Sequence, residues 1–215
     1  MYNNQAQDNG QSVISVRGEG TVTAQPDTAT VLLGVRTESL NLQEAQHSNS
    51  QISHSVIGSL IRIGIKKEDI RTSDYRIDPM YSYEDGKQIF QGYRVTHLLN
   101  IIIAEPQKTG LAVDTAVQNG ANEVASIQFS IANPQAYNNY ALRLAVLEAV
   151  QKAETIANTI GATLERKPLS IIEEPRRMPG PYVVASFEKM GAPGTPILAG
   201  KITINATVKA QFRFF

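Results

Sequence analysis

The stretch NPQAYNNYALRLAVLEAVQKAETIANTIGATLERKPLSIIEE, residues 133–174, predicts a long helix that runs into a strand. Asn133 is a favourable N-cap, Pro134 suits the first helical position, and Gly161 fits the position just after a helix end. At about 100° per residue, one side of this helix collects Leu142, Ala145, Val146, Ala149, Val150, Ala153, Ile156, Ala157 and Ile160. We therefore predict an amphipathic helix whose alanine-rich side lies close against a sheet.

The same helix carries a second apolar stripe, roughly opposite the alanines, formed by Tyr137, Tyr140, Leu144 and Leu147. A helix in a two-layer domain needs only one buried face, so this stripe requires another cover. One interpretation is that a loop or the helix start covers it. The other is a contact between subunits, because clustered exposed apolar groups tend to mark interfaces. The sequence leaves both interpretations open.

The composition of the 215-residue chain excludes several classes of function. Lys plus Arg and Asp plus Glu each number 20, so no net charge draws the protein to nucleic acid, and we expect no such partner. The absence of cysteine excludes disulfides, thiol catalysis and zinc sites built on thiolates. No apolar run approaches the roughly 18–20 residues that span a bilayer, so we predict no transmembrane segment.

The first residues, MYNNQAQDNGQ, lack the positive start and the apolar core of a signal peptide. We therefore expect a cytoplasmic protein, with a periplasmic or extracellular location as the alternative if an upstream segment has been removed. Residues 1–11 are polar and predicted to be a disordered tail. We see no linker in the rest, so residues 12–215 are predicted to form a single domain.

The order of predicted elements indicates the fold class. Apart from the long helix, helical spacing predicts helices at 40–63 and 108–118. Alternation predicts two strands within 12–37, hinged at Pro26-Asp27. It also predicts strands at 70–83, 88–104, 124–132, 168–174 and 201–215. Asp85-Gly86 between two strands is a hairpin signal. Together these predict an α+β fold, a mainly antiparallel sheet with helices packed on one face. Two β-α-β-β lobes are an alternative arrangement.

A segment rich in proline and glycine, residues 175–200, is predicted to be a long irregular loop. Such loops tend to be functional or mobile. Its apolar residues include Tyr182 and Phe187, which we count with the second helical stripe as candidate oligomer contacts. The loop could instead fold over its own domain as a lid.

The sequence carries no motif that indicates a catalytic, metal or cofactor site. Gly18-Glu19-Gly20 resembles the start of a dinucleotide fingerprint, but strand rather than helix follows it, which removes the context that the motif requires. His47 and His54 lie seven residues apart on the polar side of a helix, a spacing that indicates surface histidines. The hairpin tyrosines Tyr81, Tyr83 and Tyr93 are either sheet packing or a ligand face.

Five motifs in order resemble the SIMPL-domain family: ISVRGEG (14–20) with PDTA (26–29), IGI (63–65) with DIRT (69–72), PxY (79–81) with GYRV (92–95), GAN (120–122), and ANTIG (157–161). The resemblance covers roughly residues 12–215. It implies an α+β fold and, in bacterial relatives, an envelope-associated protein. It also implies assembly into large oligomers or a link to oxidative-stress defence in some relatives, and kinase-binding adaptors in a mammalian branch. The family has no established catalytic residues to transfer.

Three hypotheses follow from the sequence. The first is a non-enzymatic homo-oligomer, joined through the second helical stripe, the 175–200 loop or exposed sheet edges. The second is a small-molecule binder or enzyme that uses the tyrosine hairpin with the loop as a lid. The third is an adaptor that binds another protein.

Overall fold

A computed structural model describes residues 12–175 and 195–215 of the chain. Its strands are β1 Val13–Ala24, β2 Thr28–Ser39, β3 Ile70–Glu84, β4 Lys87–Ile103, β5 Glu123–Ser130, β6 Ser170–Glu173 and β7 Ile202–Arg213. Its α-helices are α1 Leu42–Arg62, α2 Thr109–Gln118 and α3 Gln135–Thr159. The predicted α+β class is confirmed. The predicted tail and the loop residues Tyr182 and Phe187 lie outside the described residues.

The chain divides into two compact units. The terminal unit contains β1, α3, β6 and β7, so both ends of the described chain meet in it. The central unit contains β2, α1, β3, β4, α2 and β5. Each unit has its own antiparallel sheet, in the order β1-β7-β6 and β3-β4-β2-β5 respectively. That residues 12–215 act as one domain stays a prediction.

The terminal unit is built around a close contact between α3 and β1. Five alanines at four-residue intervals form the buried side of α3: Ala141, Ala145, Ala149, Ala153 and Ala157. Gly18 and Gly20 of β1 face this stripe, and a Cβ added to them would lie 2.0 Å from the Ala145 oxygen and 1.9 Å from the Ala141 oxygen. The Gly-Glu-Gly motif therefore serves helix packing, because only glycine lets the two backbones approach so closely.

The buried side of α3 is narrower than predicted. Ile156 and Ile160, which the helical spacing placed on the packed side, are 42% and 57% exposed. The reason is geometric: an alanine stripe brings the helix axis close to the sheet, so the i, i+4 row is fully buried, while Leu142, Val146 and Val150 pack beside it only partly buried. The helix also begins at Gln135, one residue later than predicted, while Asn133 Oδ1 still accepts a hydrogen bond from the Gln135 amide.

The central unit packs larger side chains between its sheet and its helices. Its core includes the buried residues Val31, Leu33, Val35, Val56, Leu60, Leu99 and Ile101. The helix α1 begins at an Asn41 cap whose side chain accepts hydrogen bonds from the Gln43 and Glu44 amides. The predicted hairpin turn is confirmed: Asp85 and Gly86 have φ of 48° and 75°, as a two-residue hairpin loop requires.

Candidate functional site

The second apolar stripe of α3 lies on the exposed side of the helix. Tyr137, Tyr140 and Leu147 are 37%, 52% and 49% exposed, and Leu144 is half-buried. The alanines take the side that faces the sheet, so the stripe points away from the core of its own unit. The geometry of these four residues thus fits a contact surface, and their role in an interface stays a prediction.

A shallow groove adjoins this stripe along α3. It has a volume of about 390 Å³ and is lined by Asn139, Leu142, Arg143, Val146 and Leu147. Leu147 belongs both to the groove and to the stripe. The groove therefore widens the apolar surface that α3 presents to solvent.

Two backbone groups on the free edge of β1 bond to side chains of α3. The Glu148 carboxylate accepts a hydrogen bond from the Glu19 amide, and Lys152 Nζ donates to the Arg17 carbonyl at 3.0 Å. Lys152 Nζ also lies 3.2 Å from Glu148 Oε2. The Glu19 N–H, followed by Lys152, holds the pKa of Glu148 below its ordinary value. These contacts satisfy backbone groups that an edge strand would otherwise offer to another chain.

One of the two outer strands of the other sheet, β3, is protected in a different way. Its pairing with β4 shifts register between Thr72 and Asp74 and again between Met80 and Tyr81. Arg76 lies 3.7 Å from Asp74 and 3.5 Å from Asp78, so charges follow this edge. Bulges and charges on an edge strand oppose pairing with a second sheet.

The three hairpin tyrosines do not form one cluster. Tyr81 contacts Phe90 edge-to-face at 5.7 Å between ring centroids, and Phe90 contacts Tyr93 at 5.1 Å. Tyr83 lies nearer the hairpin tip and is 74% exposed. Phe90, which the sequence analysis did not single out, therefore joins Tyr81 to Tyr93. A ligand role for these tyrosines stays a prediction.

The three histidines of the chain line one groove of about 450 Å³ between α1 and the β3–β4 hairpin, which we call the histidine groove. Its helical wall carries Gln43, Gln46, His47, Ser50, His54 and Ile57, and its floor includes Tyr75 and His97. His47 and His54 are exposed, as predicted. Sequence reasoning missed that His97, from a strand, faces them. The sequence signal that could have indicated this groove was the run of polar residues at helical spacing on α1.

A chain of hydrogen bonds leads from the core of the central unit to His97. The Asn49 amide nitrogen donates to the carbonyls of Val35 and Val95, at 2.9 and 3.1 Å. The Ser53 hydroxyl donates to Asn49 Oδ1 at 3.3 Å and lies 3.1 Å from His97 Nδ1. Burial, and to a lesser extent the charge of His54, lowers the pKa of His97. The imidazole is thus fixed in place and favoured in its neutral form.

The described residues contain neither a metal-binding cluster nor a membrane-spanning helix. Among residues 12–175 and 195–215, no group of three or more His, Asp or Glu side chains is placed to hold a metal ion. None of the helices in that part of the chain is long and apolar enough to cross a membrane.

Comparison with known proteins places these features in a family. The SIMPL profile, described as a protein of unknown function (DUF541), matches residues 14–212. The 26 kDa periplasmic immunogenic protein of Brucella melitensis is 32% identical over 93% of this chain and 83% of its own length. The uncharacterized protein YggE of Escherichia coli is 30% identical over 67% of this chain and 59% of its own length. The uncharacterized protein YggE of Edwardsiella ictaluri is 29% identical over 90% of this chain and 77% of its own length.

The expectation of a cytoplasmic location is wrong. The Brucella melitensis and Brucella abortus relatives, each 32% identical, are named as periplasmic proteins. The expectation rested on the residues at the start of the printed sequence. A periplasmic protein whose signal peptide has been cleaved shows none, so those residues do not report the compartment.

Proposed function

This chain belongs to the SIMPL family, and from that premise we propose that it is a periplasmic protein that acts by associating with copies of itself rather than by catalysis. The observation that carries the proposal is the exposed stripe Tyr137, Tyr140 and Leu147 on α3. The location rests on the periplasmic relatives. Roles in envelope stress or as an adaptor for another protein remain predictions from the family resemblance.

The energetics of the stripe favour a symmetric contact. Burying one large apolar side chain contributes about 1.5–3 kcal/mol, whereas association costs an estimated 4–15 kcal/mol. Three half-exposed side chains from one copy therefore give a weak contact. A two-fold axis brings the same stripe from both copies together and doubles the number of apolar side chains that become buried. Leu142 and Val146 in the adjoining groove enlarge it further.

Two other routes to assembly, through the edges of β1 and β3, are less favourable. The free edge of β1 is occupied by Glu148 and Lys152 at Arg17 and Glu19. The edge of β3 carries bulges and paired charges. Both devices discourage strand-to-strand pairing at β1 and β3. Strands β5 and β6 form the other edges of the two sheets, so the outer face of α3 is favoured by its exposed apolar stripe and not by elimination.

Size-exclusion chromatography with multi-angle light scattering over a wide range of protein concentration tests the proposal. We expect the wild type to shift to higher mass as concentration rises, and Tyr140→Asp and Leu147→Asp to remain smaller, because a buried unpaired carboxylate is costly. Gln51→Asp adds the same charge at an exposed position of α1, in the central unit, and should assemble like the wild type.

Two outcomes would contradict the proposal. One is a wild-type monomer at all concentrations. The other is assembly that neither aspartate variant weakens while circular dichroism shows both to be folded.

A further inference from the structure

The histidine groove presents a row of hydrogen-bonding side chains from one side of α1. Gln43, Gln46, His47, Ser50 and His54 are all exposed and follow helical spacing on the wall of the groove. Amides and hydroxyls both donate and accept, so this wall suits a ligand that does the same. The neighbouring β3–β4 hairpin, which α1 covers only in part, forms the floor of the groove beneath such a ligand.

The tautomer of His54 is set by its own helix. Its Nδ1 lies 2.8 Å from the Ser50 carbonyl oxygen, which can only accept, so Nδ1 carries the proton. In the neutral ring Nε2 then holds the lone pair and is an acceptor. In its neutral form, His54 can therefore receive a hydrogen bond from a hydroxyl or amide group at Nε2.

The floor of the groove is a fixed aromatic surface. Asn49 donates both of its amide hydrogens to backbone carbonyls, so its oxygen accepts from Ser53 and the Ser53 oxygen must in turn accept from His97 Nδ1. Thr72 Oγ1 lies 2.9 Å from His97 Nε2, so both ring nitrogens have partners. His97 then holds Tyr75 edge-to-face at 5.4 Å between ring centroids. Tyr75 itself is 46% exposed.

The charge of the groove restricts the class of ligand. The residues that line it include no Asp, Glu, Lys or Arg, and His97 is favoured in its neutral form. Such a site offers no counter-ion to a strongly charged ligand, which would lose its hydration without compensation. The volume of about 450 Å³ falls within the range of roughly 300–1,000 Å³ that is usual for small-molecule sites.

We propose that the histidine groove binds a neutral, hydroxyl-rich ligand of the saccharide class, with Tyr75 as the platform for the flat face of a sugar ring. The wall of α1 supplies hydrogen bonds to hydroxyl groups, and His54 Nε2 is one acceptor. This site is separate from the exposed stripe of α3 and does not depend on self-association.

The test is an NMR titration of the ¹⁵N-labelled full chain with two neutral disaccharides, maltose and N,N′-diacetylchitobiose. We expect at least one to shift the imidazole signals of His54 and the backbone signals around Tyr75. Tyr75→Leu, which keeps an apolar strand residue but removes the flat ring, should weaken binding by about tenfold, equivalent to roughly 1.4 kcal/mol. Tyr83→Leu on the same hairpin, at the 74% exposed position, should bind like the wild type.

Charged probes distinguish the proposed class from its competitors. Digalacturonate, a disaccharide with two carboxylates, and Zn²⁺ are titrated under the same conditions, and both should bind more weakly than the neutral sugar. The proposal is overturned if neither neutral disaccharide shifts the groove signals, if digalacturonate or Zn²⁺ binds more tightly, or if Tyr75→Leu binds the sugar as well as Tyr83→Leu does.

Discussion

The two units of this protein cover an antiparallel sheet with helix in opposite ways. In the terminal unit, Ala145 and Ala149 of α3 meet Gly18 of β1, so backbone lies almost against backbone. In the central unit, Val56 and Leu60 of α1 pack on a sheet lined with branched side chains. One layered architecture can therefore be held together either by close backbone approach or by large side chains, and we expect the two to respond differently to substitution.

The units also differ in what they bury. Among the described residues, the buried polar side chains all belong to the central unit: Asn49, Ser53, Ser59, Thr96 and Thr109. The buried side chains of the terminal unit are apolar. A wider gap between helix and sheet can hold an amide and its partners, whereas an alanine-glycine contact cannot. The histidine groove is the outer end of that polar system.

The largest effect should come from adding methyl groups to the close contact of the terminal unit. In Gly18→Ala combined with Gly20→Ala, each new Cβ meets a carbonyl oxygen at about 2 Å, so helix and strand must separate. We expect the free energy of unfolding to fall by more than about 3 kcal/mol, beyond ordinary overpacking. Urea denaturation followed by circular dichroism measures it.

Gly58→Ala is the matched control, because it adds the same atom in the central unit where the nearest neighbour of the new Cβ is the Arg62 side chain at 3.6 Å. There a helical Gly→Ala change should stabilise the protein by about 0.5–1 kcal/mol. An equal loss of unfolding free energy in the two variants would show that the close contact between α3 and β1 is no more sensitive to an added methyl group than α1 is.

An intermediate effect should come from the buried amide of the central unit. Asn49→Ala removes the donors to Val35 and Val95 and the acceptor of Ser53. Leaving such groups unpaired costs about 1–3 kcal/mol, and a thermal melt should show it. Because Ser53 positions His97, the imidazole signals of His97 should also move. Gln51→Ala, exposed on the same helix, should leave both readouts unchanged, and a similar loss there would remove the special role of Asn49.

The smallest effect concerns pH and the edge of β1. The pKa of Glu148 is lowered from 4.5, first by the Glu19 amide and then by Lys152. A lowered folded-state pKa stabilises the fold above the unfolded-state pKa, and this contribution is lost as pH falls through the folded-state pKa. Stability should therefore decline below about pH 4.5, and Glu148→Gln should flatten that decline.

Denaturation midpoints across acidic pH measure this decline in stability. Glu84→Gln, at the exposed hairpin tip, should keep the wild-type slope, and an unchanged slope in Glu148→Gln would refute the role.

Much of the fold could be predicted from local signals. The Asp85-Gly86 turn, the alternation of β7 and the alanines of α3 each act within a few residues, so periodicity and turn chemistry identified them. The second apolar stripe of α3 could be predicted in the same way, but its exposure could not, because a loop could equally have covered it. The histidine groove could not, because His97 lies 43 residues after His54 in the chain and only the packing of α1 over β4 brings them together. The contact of Gly18 with Ala145 and Ala149 could not be predicted for the same reason, because these residues are distant in the chain.

The sequence by itself determined which segments are helix and strand, since those follow from side-chain period and from residues that start or stop elements. It also determined that α3 has two apolar sides. Only the packing of distant segments showed that the second side stays exposed, that the glycines of β1 serve the contact with α3, and that the three histidines line one groove. These depend on pairing between residues distant in the chain, which no local pattern encodes.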